Sequence, residues 1–142
     1  MTSTEGEVRT LLDRRSEAIW ARDIDGLISC YSPDIVYFDI VPPLQYVGHA
    51  ALQDRFLNWF DGFDGPIGQE LHELRILVSG EIAVASMLIR ASGTVKNGPD
   101  VERWVRTTSA CQESMNRLLI SHEHVSLPVD LETGSAAMNL VP

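Results

Sequence analysis

Two of the chain's four histidines stand in one short stretch, His122-Glu123-His124-Val125-Ser126-Leu127-Pro128. At strand spacing His122, His124 and Ser126 share one face, and Glu123 points the other way. Imidazoles exchange protons near neutral pH, so His122 and His124 are candidates for acid and base, with Glu123 the competing acid/base on the opposite face. A further carboxylate, Asp39, ends the run Asp34-Ile35-Val36-Tyr37-Phe38-Asp39. In an apolar pocket it suits proton abstraction; elsewhere it caps the Pro42-Pro43 turn or pairs with an arginine. Trp104 and Arg106 share strand parity and offer an aromatic wall and a fixed cation for an enolate or carboxylate; Arg90 offers a second cation and Tyr37 a hydroxyl. The alternative for these arginines is a structural network with the chain's many acids. Two same-face imidazoles with Asp39 or Glu123 also describe a divalent-metal site, which stands as a second alternative to a site without cofactor or metal.

The elements that must position these groups are legible in the hydrophobic pattern. Val8, Leu11, Leu12, Ala18 and Ile19 predict an amphipathic helix over residues 5–22. A short helix follows over 24–31, stopped by Ser32-Pro33, and then a strand over 34–39. Leu52, Phe56, Leu57 and Phe60 predict a helix over 49–60, closed by a Gly/Pro-rich loop at 62–68. Strands are expected over 70–78, 82–94, 101–111 and 118–127. Helices first and an antiparallel meander after them predict an α+β fold in which the sheet curls over the helices and leaves a cavity.

At 142 residues with 44% apolar side chains, the chain fits one domain, 1–142. Its net charge of −9 disfavours nucleic acid and anionic membrane as partners. The start MTSTEGEVRT lacks a basic and an apolar targeting region, no segment approaches the length of a membrane span, and the expected location is the cytoplasm. Cys30 and Cys111 sit in no paired motif and are expected as buried, reduced thiols. No glycine pattern matches a nucleotide loop.

Several segments resemble the SnoaL-like group of the nuclear-transport-factor-2 (NTF2-like) and ketosteroid-isomerase superfamily. They are Trp20-x-x-Asp23-x-Asp25-x-Leu27, Tyr31-x-x-Asp34, Phe38-Asp39 leading to Pro42-Pro43-Leu44 and Gly48, Trp59-Phe60-x-x-Phe63-x-Gly65-Pro66-Ile67, Arg90-x-Ser92-Gly93-Thr94, Trp104-Val105-Arg106 and His122-Glu123-His124-x-Ser126-x-Pro128. The resemblance spans nearly the whole chain. It implies a cone of curved mixed or antiparallel sheet wrapped around N-terminal helices, an internal pocket with Trp59 among its binding residues, and a homodimer. By ungapped matching it places the isomerase base on Asp39 and the pocket face of the last long strand on Ser121, Glu123 and Val125. The isomerase tyrosine position falls near Arg15, however, and residues 104–112 hold no carboxylate to serve as the protonated acid, so steroid isomerisation itself is not expected. Ser86 stands where the group commonly has a histidine, and Asn116-Arg117-Leu118 where it has Gly-x-Trp. The function so implied is a cofactor-independent isomerase, cyclase or dehydratase acting on a mostly apolar small molecule. The alternative is a non-catalytic binding module of the same fold.

Overall fold

The apolar stripe of the first segment folds as helix α1 (Thr4–Ala21) in a computed structural model that describes residues 4–142. Val8, Leu11, Leu12, Ala18 and Ile19 are all buried, and Arg15 lies buried on the same stripe. The chain leaves α1 through Arg22, whose φ of 55° lies in the left-handed region and whose guanidinium donates to the carbonyls of Phe60 and Phe63. Helix α2 (Ile24–Ile28) starts on Asp23, whose side chain accepts the Gly26 N–H at 3.0 Å. Any side chain at Gly26 would run into that carboxylate, so glycine belongs to the cap. Helix α3 (His49–Asp61) buries Leu52, Phe56 and Phe60.

The sheet comprises β1 (Tyr31–Phe38), β2 (Tyr46–Val47), β3 (Phe63–Ser79), β4 (Ile82–Val95), β5 (Asp100–Ser114) and β6 (Arg117–Ser126), in the order β2-β1-β6-β5-β4-β3. Neighbours are antiparallel except β1 and β6, which run parallel. A two-residue hairpin, β7 (Val129–Asp130) with β8 (Ser135–Ala136), follows. The sheet does not close on itself, and its inner face, with Ala83, Ala85, Met87, Ile89, Val105, Cys111 and Ile120, packs on the helices as one core. This is the mixed α+β architecture that the sequence predicts.

Three features differ from the sequence pattern, each through an irregularity that periodicity does not register. The short helix ends at Ile28, and Tyr31 opens β1 instead of closing a helix turn. Pro33 is accommodated because the β1–β6 register breaks between Tyr31 and Val36, where no ladder N–H is required of it. The Gly/Pro segment at 62–68 is strand and not loop: β3 pairs with β4 at Phe63 and Asp64, bulges over Gly65-Pro66-Ile67, and pairs again from Gly68. On β6, His122 pairs with Ala110 and Ile120 with Cys111, so Ser121 is an extra residue. That bulge rephases the strand: Leu118 and Ile120 face inward before it, Glu123 and Val125 after it.

Both cysteines are free and fully buried, and burial pushes the Cys111 thiol up to about 12 and raises that of Cys30. Neither thiol is expected to react with Ellman's reagent at pH 8 in the native protein, and both should react in denaturant; rapid native-state labelling of either would contradict this core. Among the described residues no helix is long and apolar enough to cross a membrane.

Candidate functional site

On the inner face, β6 carries Glu123 fully out of solvent: its side chain is 0% exposed. Such a charge needs a full set of partners. Arg15 from α1 supplies the cation, with Nη2 at 3.0 Å and Nε at 3.1 Å from Oε1. The Tyr31 hydroxyl donates to Oε1 at 2.6 Å, and the Ser109 hydroxyl donates to Oε2 at 2.6 Å. Burial, with the Glu123 charge, raises the Tyr31 pKa well above its ordinary value despite Arg15, so the phenol keeps the proton it donates. Burial alone would lower the Arg15 pKa, but Glu123 and the two tyrosines outweigh it and hold the guanidinium charged. Glu123 is thus a saturated anion that fixes Arg15.

Asp39 follows β1 on the parity of Tyr37 and points inward. Its side chain is 8% exposed; Oδ2 accepts from Arg55 Nε of α3 at 2.8 Å, and Oδ1 accepts from the Ile40 N–H at 2.7 Å. Between α3 and the sheet lies a cavity of about 90 Å³ whose polar lining is Arg15, Tyr37, Asp39, Arg55, Gln69 and Thr107, with Phe56, Trp59, Val105 and Val125 among its apolar walls. Asp39 is the one carboxylate on that lining. Burial, with Glu123 and Asp39 nearby, raises the Tyr37 pKa well above its ordinary value, so this residue offers a neutral hydroxyl. The Thr107 hydroxyl has no hydrogen-bond partner among the described residues, although the residue is 3% exposed.

An unpartnered buried hydroxyl costs about 1–3 kcal/mol. Thr107→Val keeps the shape and removes the hydroxyl, so it is expected to raise the melting temperature by a few degrees in a domain of this size. A lowered melting temperature in differential scanning calorimetry would show that the hydroxyl is satisfied in solution.

The remaining candidates lie on the other side of the sheet. His122 and His124 face outward because the bulge at Ser121 turns Glu123 in; His122 Nδ1 lies 2.7 Å from the Val36 carbonyl oxygen, and both rings stand edge-on to Phe38. They therefore share no cavity with Asp39 or Glu123, and no cluster of three His, Cys, Asp or Glu able to hold a metal occurs among the described residues. Alternation puts Val105, Thr107 and Ser109 of β5 inward and Trp104 and Arg106 outward. Trp104 packs on His72, and Arg106 Nε donates to Ser126 Oγ at 3.0 Å. Arg90 pairs on the outer face with Glu102 at 2.7 Å and Glu70 at 3.5 Å. Of the expected binding residues, Tyr37 and Trp59 reach the cavity with Asp39; Arg90, Trp104 and Arg106 do not.

Arg15, Tyr31, Arg55, Gln69, Thr107 and Ser109 complete the inner site. The signal for Arg15 was its place on the apolar stripe: a charge at a core position of α1 requires a buried counter-ion. Thr107 and Ser109 had a similar signal, alternating with outward residues between the apolar Val105 and Cys111.

The sequence profile of the SnoaL-like domain matches residues 8–130. No curated protein matches the sequence. Among solved structures, an NTF2-like protein of unknown function from Pseudomonas putida KT2440 is similar with 32% identity and a TM-score of 0.88, covering 99% of each chain. A protein proposed to be an aromatic ring hydroxylase from Novosphingobium aromaticivorans is similar in fold (18% identity, TM-score 0.78, 89% of this chain and 91% of that one). So is a proposed dehydratase of the NTF2-like family from Streptomyces avermitilis (15% identity, TM-score 0.75, 85% and 93%). With its profile match spanning most of the chain and its cone of curved sheet over three helices, the protein belongs to the SnoaL-like family and has the NTF2-like fold.

Proposed function

We propose that this protein is a cofactor-independent catalyst of proton transfer, of the isomerase, cyclase or dehydratase type, acting on a small, mostly apolar molecule held in the cone. What carries the reading is Asp39, the one carboxylate on the lining of an otherwise largely apolar cavity, with both oxygens oriented by fixed donors. Asp39 is the base that takes a proton from a carbon of the substrate and returns it to another. Arg55 is a positioning residue, and the stabilising cation is Arg15, since Arg106 faces away from the cavity. His122 and His124 have no part in this chemistry. The setting is the cytoplasm, where both thiols stay reduced.

The test is a panel of small ketones and hydroxy ketones incubated with the protein in D₂O and followed by NMR. Protein-dependent exchange of a carbon-bound proton that Asp39→Asn abolishes and a His122→Gln/His124→Gln double variant retains supports the reading. Binding of these compounds with no exchange in the wild type would replace it with the second reading, a ligand-binding module. That alternative has its own support: all three charged side chains on the cavity lining, Arg15, Asp39 and Arg55, are already in ion pairs.

A second copy of the chain is the proposed cover for the outer sheet face, where Leu77 (75% exposed), Ile82 (50%) and Val84 (37%) present apolar surface. Sedimentation equilibrium is expected to give a homodimer at micromolar concentration; a monomer would remove this proposal.

A further inference from the structure

Strand register lines up one row of side chains across the whole outer face of the sheet. Val47 pairs with Val36, Val36 with His122, His122 with Ala110, Ala110 with Val84 and Val84 with Leu77, so the row crosses all six strands. Every member except His122 is apolar, and Val47, Val84 and Leu77 are exposed. The row on one side, Leu119, Gln112 and Ile82, is uncharged, and the row on the other, Phe38, His124, Thr108, Ser86 and Arg75, holds no carboxylate. At about 4.8 Å between strands and two residues between rows, the three rows form a face of roughly 24 by 20 Å. That footprint is of the order of the roughly 800 Å² that each partner gives to a standard interface. Two chains of net charge −9 repel each other, and a face without carboxylates is where they meet at least cost.

His122 stands near the middle of the row, and its surroundings suit a neutral ring. Nδ1 lies 2.7 Å from the Val36 carbonyl oxygen; a carbonyl only accepts, so Nδ1 carries the hydrogen and Nε2 is the nitrogen left to take up a proton. Around the ring β1 presents Val36 and Phe38, β5 presents Thr108 and Ala110, and β6 presents His124. The acid of β1 on that side, Asp34, lies in the stretch where the β1–β6 register is broken and forms no ion pair with His122 among the described residues. The charge in the neighbouring row, Arg75, is a cation.

We infer that the row from Val47 to Leu77 is the contact between two copies of this chain, and that His122 makes the contact pH-dependent, with the dimer formed while its imidazole is neutral and lost as it takes up a proton. This rests on the dimer proposed above. An isologous contact lays the row on its own copy and brings the two His122 side chains near each other. Protonation would then place two cations without an anion in an apolar contact. The free copy takes up the proton and the dimer does not, so proton uptake accompanies dissociation, and association weakens as pH falls through the imidazole range. At about pH 5.5 an ordinary imidazole is roughly nine-tenths protonated, which weakens association about tenfold per copy and about a hundredfold for the pair. Overall charge acts in the opposite direction, since acidification reduces the net charge of −9 and the repulsion between copies.

Fluorescence-detected sedimentation velocity, from nanomolar to micromolar protein at about pH 8 and about pH 5.5, reads the association of wild type, His122→Asn, His122→Leu, His124→Asn and Val84→Arg. Asparagine keeps an N–H donor for the Val36 carbonyl and cannot charge; leucine completes the apolar row; far-UV circular dichroism shows which variants are folded. The wild-type dissociation constant is expected to rise at least about tenfold on acidification, with the rise kept in His124→Asn and absent from the folded His122 variants. Val84→Arg, which puts a charge into the row, should weaken the dimer at least about tenfold at both pH values. A smaller wild-type rise, a rise that persists in a folded His122 variant, or one lost in His124→Asn would overturn the role of His122. A Val84→Arg dimer nearly as tight as wild type would move the contact off this row. A wild type monomeric at both pH values would remove the dimer itself and leave the row to a different partner, whereas a dimer indifferent to pH would sink only this inference.

Discussion

Glu123→Gln is expected to cost about 3–5 kcal/mol of folding stability, the range for breaking a buried ion pair by removing one partner. The cost arises less from the lost attraction than from what remains: the Arg15 guanidinium, 5% exposed, is left facing Tyr31 and Gln69 with no anion. Against a total of about 5–15 kcal/mol for a domain of this kind, that is a large fraction, and the melting temperature should fall by about 10 °C or more. Arg15→Met leaves the complementary charge on Glu123 and should cost a similar amount. The double variant should be more stable than the sum of the two losses predicts, because the second change removes the charge that the first one stranded. Urea denaturation of the four proteins measures this. Additive losses, or a Glu123→Gln cost under about 1 kcal/mol, would mean that water reaches the pair. The network also ties stability to the site, since Arg15 is at once the partner of Glu123 and a donor wall of the cavity.

Asp39→Asn is expected to lower the rate of proton transfer by about 10²- to 10⁴-fold, the usual contribution of a positioned base. Asparagine keeps an oxygen for the Ile40 N–H but cannot take up a proton at neutral pH. The outcome should divide cleanly between kcat and KM: the ketone still finds Thr107 and Arg15, so binding changes little while turnover collapses. Steady-state deuterium exchange over a range of ketone concentrations separates the two. A loss confined to KM would make Asp39 a binding group and favour the ligand-binding module. Arg55→Gln, which frees Asp39 without removing it, should give a smaller loss than Asp39→Asn, since Arg55 orients the carboxylate and does not exchange the proton.

How far the site could be read from the sequence depended on whether local period survived into the fold. The helix stripe Val8-Leu11-Leu12-Ala18-Ile19 did survive, and with the four-strand meander it was enough to predict a sheet curled over N-terminal helices. The inward position of Asp39 was legible because β1 alternates regularly from Ile35 onward and keeps Asp39 on the face of Tyr37. The face of the histidines was not legible because one inserted residue, Ser121, shifts the phase of β6, so that counting on from Leu118 and Ile120 places Glu123 on the outer face, whereas the fold turns it inward. Matching to the isomerase pattern pointed to Ser121, Glu123 and Val125; the fold buries Glu123 and Val125 on the inner face, while Ser121 is the extra residue of the bulge. The strand beginning at Phe63 was hidden for a related reason: Gly65 and Pro66 signal a loop, yet β3 absorbs them as a bulge against β4. What no pattern could give was pairing across distance. Arg15 and Glu123 lie 108 residues apart, and only the packing of α1 on the sheet brings them together.

The most direct test of the inner-face site is a crystal structure of the protein with cyclopentanone bound. The ketone oxygen is expected within hydrogen-bonding reach of Thr107 Oγ1 or the Arg15 guanidinium, with the adjacent ring carbon turned toward the Asp39 carboxylate. A ring lying instead on the outer face, against Phe38, His122 and His124, with the cavity untouched, would contradict the account.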